Sequence, residues 1–146
     1  RRTRIVPGFS ARTLADLIPD MDVVVLVTRA GYVKRMPLDQ YRRQRRGGRG
    51  LGQIETKEED YVIRTFVTRT HDDVLFFTNL GRVYRLKAYE LPEGSRQSKG
   101  KAVVNLLARL KDGERVQTLL PIHDLAGAGS LFFATRRGLV KRTALG

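Results

Sequence analysis

A segment of twelve residues occurs three times along the chain, and this internal repeat constrains the fold more than any other feature. The copies occupy residues 24–35, 74–85 and 131–142, at offsets of 50 and 57 residues and without gaps. Each copy is an apolar run, a short polar turn that ends in glycine, and the pattern x-Val-x-Arg. The apolar runs predict buried strands, and the glycines predict turns at positive φ. Each copy is therefore predicted to be a β-hairpin, with its turn at Gly31, Gly81 or Gly138.

Two further strands are predicted after each of the first two hairpins. They lie at residues 51–55 and 61–68 in the first repeat, and at residues 102–107 and 114–120 in the second. Four strands in about 50 residues is the period of a propeller-type blade. The predicted fold class is therefore all-β, with propeller-like blades and little helix beyond one short turn that ends at Pro19.

The repeat also predicts how the chain is divided. Rings of such blades need about four to eight repeats, and the sequence holds two complete repeats and the start of a third. We therefore expect the chain to be a piece of a longer protein. The predicted units are a linker (1–22), a first blade with a basic loop (23–73), a second blade (74–130) and the first hairpin of a third blade (131–146).

Composition points to a polyanionic partner. The chain has 146 residues, 28 Lys and Arg against 15 Asp and Glu, and a net charge of +13. It has no cysteine and only two histidines, so we expect neither a metal site nor a cofactor. No apolar run reaches the length of a membrane span, and no amphipathic basic helix of the membrane-surface type is visible. We expect a soluble, cytoplasmic protein that binds nucleic acid rather than membrane.

The charge is concentrated in a loop after the first hairpin. Residues 42–49 hold five arginines, and three glycines stand among or directly after them. Guanidinium groups match phosphate oxygens, and glycines let backbone N–H groups approach phosphates as well. A solvated surface loop is the alternative interpretation. Against it, residues 94–101 repeat the pattern 50 positions later, and Arg46, Arg49 and Gly50 correspond to Arg96, Lys99 and Gly100. Two such loops on successive blades predict a basic stripe that suits a bent duplex.

The sequence of this loop resembles that of a known family. The residues that carry the resemblance are Gln44, Arg45, Arg46, Gly47, Gly48, Arg49 and Gly50. They are similar to the seven-residue box of the C-terminal DNA-wrapping domains of bacterial DNA gyrase A subunits, many of which have lysine in place of Arg49. Residues 1–6, 31–34, 81–84 and 104–107 also resemble this family. The resemblance implies a six-bladed β-pinwheel, whose neighbouring blades exchange strands.

The resemblance further implies a function. Such domains wrap duplex DNA without sequence specificity, so that ATP-dependent strand passage introduces negative supercoils. The implied partners are duplex DNA, the B subunits of gyrase and a second copy of the A chain in a nucleoid-associated heterotetramer, with ATP and Mg²⁺ held in other regions or subunits. The DNA-cleaving tyrosine of the family precedes this domain, so no catalytic residue is expected among Tyr32, Tyr41, Tyr61, Tyr84 and Tyr89.

Two alternatives stay open. One is the related A-type subunit of topoisomerase IV, in which the box is usually degenerate or missing. The other is a propeller-like interaction module that binds RNA or acidic proteins.

The remaining candidate DNA contacts are basic residues on or near the hairpins and the two loops. They are Lys34, Arg35, Arg42, Arg43, Arg85, Lys87, Arg96, Lys99, Lys101, Arg137 and Lys141.

Overall fold

A computed structural model describes residues 14–46, 60–95, 98–127 and 129–145, and strands dominate this part of the chain. The strands are β1 (Asp22–Thr28), β2 (Tyr32–Pro37), β3 (Val62–Arg69), β4 (Asp73–Thr78), β5 (Val83–Lys87), β6 (Lys101–Ala102), β7 (Val116–Ile122), β8 (Ser130–Ala134) and β9 (Val140–Ala144). The helices are α1 (Leu38–Arg46) and α2 (Val103–Leu106), and there are 3₁₀ turns at Leu14–Leu17 and Ala88–Glu90.

The strands form three antiparallel sheets, one around each hairpin. The strand orders are β3-β1-β2-β6, β5-β4-β7 and β8-β9. The first sheet takes its fourth strand from the second repeat, because β6 pairs with β2 and places Lys101 opposite Val33. This exchange of a strand between neighbouring repeats agrees with the pinwheel that the resemblance implies.

The three glycine turns have the same construction. Gly31, Gly81 and Gly138 have φ values of +86°, +72° and +81°, as the repeat predicts. In each turn the glycine N–H donates to the carbonyl oxygen of a threonine three positions earlier. The hydroxyl of that threonine accepts a bond from the N–H of the residue after the glycine. The threonines are Thr28, Thr78 and Thr135.

Alternation along β1 divides its side chains between two hydrophobic clusters. Val25 and Val27 join the larger cluster, which the first two sheets share. Its buried members are Val25, Val27, Val33, Val74, Phe76, Ala88, Leu91, Val103, Leu107 and Leu119. Val24 and Leu26 point to the opposite face of the first sheet, as expected for a strand with a side-chain period of two. The second and third sheets meet through the edge-to-face contact of Phe77 and Phe133, whose ring centroids are 5.5 Å apart.

The strand predicted at residues 102–107 is wrong in most of its length. Only Ala102 belongs to a strand, and α2 begins at Val103. Val103 and Leu107 are buried, whereas Val104 and Asn105 are exposed. A strand would place Asn105 on the same face as Val103 and Leu107, whereas a helical turn buries these two and leaves Asn105 exposed, so packing against the core overrides the strand preference of the two valines.

Two other predicted strands are confirmed with small shifts in their bounds. Residues 61–68 correspond to β3 with a shift of one residue, and residues 114–120 correspond to β7 with a shift of two. The short helical turn before Pro19 is confirmed as the 3₁₀ turn Leu14–Leu17. The strand predicted at residues 51–55 lies outside the described residues.

An aspartate joins the end of the first repeat to the end of the second. Asp72 accepts hydrogen bonds from the Thr68 hydroxyl (2.7 Å) and the Arg69 N–H (2.8 Å), which close a turn. Its other carboxylate oxygen lies 2.6 Å from Nδ1 of His123. Burial alone would raise the pKa of Asp72, but these bonds outweigh burial and lower the pKa. His71 contacts the chain that precedes the first sheet, since its Nε2 lies 2.8 Å from the Ile18 carbonyl oxygen.

Candidate nucleic-acid interface

The first cationic element is helix α1, which begins directly after β2. Leu38 and Tyr41 pack against the smaller hydrophobic cluster of Val24, Leu26 and Met36. Arg42 and Arg43 are exposed. The spacing of three between Leu38 and Tyr41 places both on one helical face, and this is the face that packs on the first sheet. The helix thereby holds exposed positive charge beside the first sheet.

The sequence predicted a loop where α1 lies, and this prediction is wrong for residues 41–46. Gln44, Arg45 and Arg46 form the last turn of the helix. Arginine and glutamine are good helix formers, and cations are favourable near a helix C-terminus, so local preference supports the helix. The remainder of the box, Gly47, Gly48, Arg49 and Gly50, lies outside the described residues.

The second cationic element comprises residues 94–101, which we call the second basic loop. Lys99 and Lys101 are exposed. The Lys99 ammonium stands 4.2 Å from the centroid of the Tyr32 ring, and Lys101 lies in β6 beside Val33. This loop and α1 therefore both adjoin β2. Arg96 lies outside the described residues.

Lys34 is positioned differently from the other candidates. Its side chain is buried, with a relative exposure of 2% for the residue. Its ammonium donates to the carbonyl oxygens of Ser95 (2.9 Å) and Ser98 (2.8 Å). Burial lowers the pKa of this amine. An ammonium bound in this way is not available to a phosphate, so its location does not support Lys34 as a direct DNA contact.

Arg35 is also engaged with the second repeat. Its Nε donates to the Leu91 carbonyl oxygen (2.8 Å), and the guanidinium lies 3.8 Å from the Glu93 carboxylate. The side chain is only 16% exposed. Arg35 therefore fastens β2 to residues 91–93 and presents little free charge.

The candidates on β5 share one carboxylate. Asp73 is buried, and its oxygens lie 3.1 Å from the Lys87 ammonium and 3.7 Å from Arg85 Nε. Arg85 keeps 64% of its side chain exposed and Lys87 keeps 38%. The negative charge of Asp73 therefore partly offsets the positive charge that Arg85 and Lys87 present to a ligand. On the third hairpin, Arg137 and Lys141 are exposed.

A buried carboxylate that the sequence does not reveal organises the second repeat. Glu114 accepts hydrogen bonds from the Thr78 hydroxyl (2.7 Å), the Lys111 N–H (2.9 Å) and the Tyr84 hydroxyl (3.1 Å), and it lies 3.4 Å from Arg82. Burial would raise its pKa, but these donors lower it instead. Its signal in the sequence is limited to an acidic residue before an apolar run, which is indistinguishable from a solvated turn.

The described residues offer neither a metal site nor a membrane-spanning helix. Among residues 14–46, 60–95, 98–127 and 129–145, no group of three His, Asp or Glu could hold a metal ion. Within the same ranges, no helix has the length and apolar character needed to cross a membrane.

The stacked hairpin sheets define the chain as part of a β-propeller-type domain with cationic segments beside its first sheet. The family model described as DNA gyrase C-terminal domain, beta-propeller, matches residues 22–69, 72–123 and 129–146. The chain belongs to this family of DNA gyrase C-terminal domains.

Named relatives agree with this assignment. The chain is 49% identical to the A subunit of DNA gyrase from Staphylococcus aureus strain MRSA252 over 99% of its own length and 16% of that protein. It thus spans about one sixth of the curated relatives it matches.

Solved structures give the same fold. The C-terminal domain of DNA topoisomerase IV superposes with a TM-score of 0.68 and 30% identity, covering 88% of this chain and 38% of that one. A DNA gyrase A C-terminal domain superposes with a TM-score of 0.66 and 27% identity, covering 85% and 40%.

Proposed function

We propose that this chain binds duplex DNA through phosphate contacts and bends it, as a wrapping domain of a gyrase A-type subunit. The observation that carries the proposal is the convergence of α1 and the second basic loop on β2 in a chain of this family. The proposed contacts are the box residues together with Arg42, Arg43, Lys99 and Lys101, and Arg85, Arg137 and Lys141 farther along. Arg96 belongs to the same proposal through its correspondence to Arg46.

Phosphate contacts explain binding without sequence preference. Lysine and arginine bound to phosphates release counterions, so affinity falls steeply with salt but varies little between base sequences. If the five arginines of residues 42–49 each neutralise one phosphate, their share of the log–log salt slope is about −4.5. Raising salt from about 50 to 200 mM would then weaken binding several hundred-fold.

The complete protein would supply what this chain does not contain. We propose that three family matches mark three neighbouring repeats of a six-bladed ring, with the boundaries predicted from the sequence. The full protein would pair with a second copy of itself and with the B subunits of gyrase in the bacterial cytoplasm. DNA cleavage, ATP and Mg²⁺ would belong to those other parts, and wrapping here would direct strand passage toward negative supercoiling.

Paired topology assays on the full-length protein, assembled into its holoenzyme, test the proposal. We expect the triple variant Arg45→Ala, Arg46→Ala, Arg49→Ala to lose most ATP-dependent negative supercoiling but to keep DNA cleavage and ATP-dependent relaxation. The box side chains would act on the path of wrapped DNA and not on strand passage itself.

A matched control removes three positive charges elsewhere. Arg109, Lys111 and Arg115 are exposed. Arg109 and Lys111 take part in hydrogen bonds through their own backbone atoms and not through their charged side chains. Their triple alanine variant should supercoil nearly as the wild type does. Normal supercoiling by the box variant would contradict the proposal, and equal loss in both variants would reduce it to an effect of net charge.

A topoisomerase IV-type function is the second candidate, because that enzyme's C-terminal domain superposes on this chain as closely as the gyrase domain does. The holoenzyme distinguishes the two when it is given relaxed plasmid and ATP. A gyrase introduces negative supercoils, whereas the alternative only relaxes and unlinks DNA. Ring closure of short duplexes tests the interaction-module alternative, which predicts no salt-dependent bending.

A further inference from the structure

The second basic loop is built around a lysine from the preceding repeat. The Lys34 ammonium lies within 2.9 Å of the Ser95 and Ser98 carbonyl oxygens. The Ser98 N–H also donates to the Ser95 carbonyl oxygen (3.2 Å), so the same short segment is closed by its own backbone. Ser95 and Ser98 of the loop therefore both bind a cation that belongs to β2.

Two glycines let the loop approach Lys34 on both sides. A Cβ at Gly94 would lie 3.1 Å from Cδ of Lys34, and one at Gly100 would lie 3.1 Å from its Cβ. At Gly100 the added atom would also collide with the Val33 carbonyl oxygen, and φ is +82°. The Gly94 N–H donates to the Arg35 carbonyl oxygen (3.0 Å). The described ends of the loop are thus fixed against β2 on either side of the lysine.

The ammonium has a structural use that offsets its burial. A buried charge is costly unless hydrogen bonds replace its lost hydration, and carbonyl oxygens of the loop supply them. Residues 94, 95 and 98–100 lie outside the regular strands and helices, so the lysine gives this segment a fixed centre. Lys99 remains exposed on the outside of the same segment.

We propose that Lys34 is a positioning residue for DNA binding: its buried ammonium holds the second basic loop in the conformation that presents Lys99 and Lys101 to the duplex. The proposal rests on the DNA-wrapping function proposed above. It assigns Lys34 a role distinct from the phosphate contact that its place in the basic hairpin predicts.

Lysine labelling of the unmodified full-length protein tests the burial directly. With an amine-acetylating reagent, we expect Lys34 to react at least about tenfold more slowly than Lys99, because it reacts only when the loop opens. Duplex DNA should slow the labelling of Lys99 and leave Lys34 unchanged. Equal labelling of Lys34 and Lys99 in free protein would overturn the proposal.

Two variants with the same change in charge separate positioning from contact. Lys34→Met and Lys99→Met each remove one positive charge. In free protein, Lys34→Met should speed amide exchange at Gly94 and Ser98, whereas Lys99→Met should not. On DNA, Lys34→Met should lower affinity with an unchanged salt slope, because the loop must be ordered again before the same phosphates are bound. Lys99→Met should reduce the slope by about 0.9, the value for one phosphate.

The outcomes are separable. A slope reduced by about 0.9 in Lys34→Met, without faster exchange, would make Lys34 a direct phosphate contact and overturn the proposal. If Lys34→Met does not fold, the labelling rates of the wild type decide. Absence of salt-dependent binding by the wild type would reject the DNA-wrapping function, while exchange and labelling would still report whether Lys34 orders the loop.

Discussion

The two complete repeats share one strand framework but differ in the connection that leaves the second strand of each hairpin. After β2 the chain forms α1, nine residues with four arginines, which packs on the outer face of the first sheet. After β5 it forms the 3₁₀ turn Ala88–Glu90, which buries Ala88 and leads to the buried Leu91. The same position thus carries exposed charge in one repeat and core packing in the other.

The hairpins are the part that the two repeats share, and the segments that follow the hairpins are the part that differs. The hairpins and their threonine–glycine turns recur in both repeats. A shift in the pairing register, between Val27 and Thr28 in β1 and between Phe77 and Thr78 in β4, recurs as well. The segments directly after β2 and β5 do not recur, and only the first of them, α1, carries candidate DNA contacts. A repeat protein of this kind can therefore change its ligand surface while its strands keep the same geometry.

The largest expected effect is the loss of core packing after β5. Leu91→Ala should lower the free energy of unfolding by about 2–5 kcal/mol, because a cavity is left where the side chain is now 2% exposed. Denaturant unfolding would measure it, and the salt slope of DNA binding by the folded protein should not change. A loss below about 1 kcal/mol would contradict the role of this connection in the core.

The next effect distinguishes two acidic residues at corresponding places before β3 and β7. Asp60 accepts a bond from the Ala30 N–H, whereas Glu114 serves the several donors described above. Because its folded pKa is lowered, the stabilisation from Glu114 is present above its unfolded pKa and is lost as pH falls through the folded pKa.

We expect Glu114→Gln to be less stable than the wild type near neutral pH and to lose less stability in acid. Asp60→Asn should have a smaller effect near neutral pH. Unfolding midpoints measured across the acid range would check this. An unchanged difference between Glu114→Gln and wild type at every pH would show that the ionised carboxylate is not what stabilises the repeat.

A third test compares how much the glycine turns of the first and second hairpins contribute to stability. Gly31→Val and Gly81→Val should each cost about 1–3 kcal/mol, because valine is strained at positive φ although both sites have open space. Equal losses in thermal unfolding would support a shared framework. A loss confined to one repeat would show that the two hairpins contribute differently to stability.

A smaller effect on stability is expected in α1. Tyr41 is half-buried, so Tyr41→Ala should cost about 1 kcal/mol, roughly half of what full burial of a large apolar side chain contributes. DNA affinity should fall by more than the small loss of folding stability would cause by itself, because the helix that carries the arginines would lose its contact with Val24 and Leu26. Tyr41→Phe is the control, and it should behave as the wild type in both measurements.

The smallest effect compares single cations of the two repeats. Arg42 is exposed, whereas Lys87 is paired with Asp73. Arg42→Ala should reduce the magnitude of the salt slope by about 0.9. Raising salt from about 50 to 200 mM would then weaken binding of the variant roughly 3.5-fold less than binding of the wild type. Lys87→Ala should reduce the slope less. Equal slopes for both variants would show that pairing with Asp73 does not reduce the availability of Lys87.

The hairpins could be predicted from the sequence because their signals are local. β-Branched and aromatic runs favour strands, and each turn depends on a glycine whose positive φ other residues adopt only with strain. The structure confirms Gly31, Gly81 and Gly138 in the same turn. The family model and the named relative likewise confirm the gyrase family, which could be predicted because the seven residues of the box are contiguous.

The error at residues 103–107 comes from contacts between distant parts of the chain, whereas the helix at residues 41–46 agrees with local preference. The valines of α2 favour a strand by themselves, but only a helical turn buries Val103 and Leu107 against the core while it leaves Asn105 exposed. Lys34 and Lys99 are equivalent in charge, and no local pattern tells which one is enclosed by the other repeat. Whether each basic candidate contacts DNA stays a prediction.

The exchange of β6 has a consequence for how such a chain is made. During synthesis, β2 emerges well before β6, so the edge of the first sheet stays without its final partner until the first half of the second repeat has been translated. An unpaired edge is prone to association with other chains. The second repeat thus acts as an intramolecular cover for the first, and slow translation or a truncation between residues 87 and 101 should favour aggregation of the nascent protein.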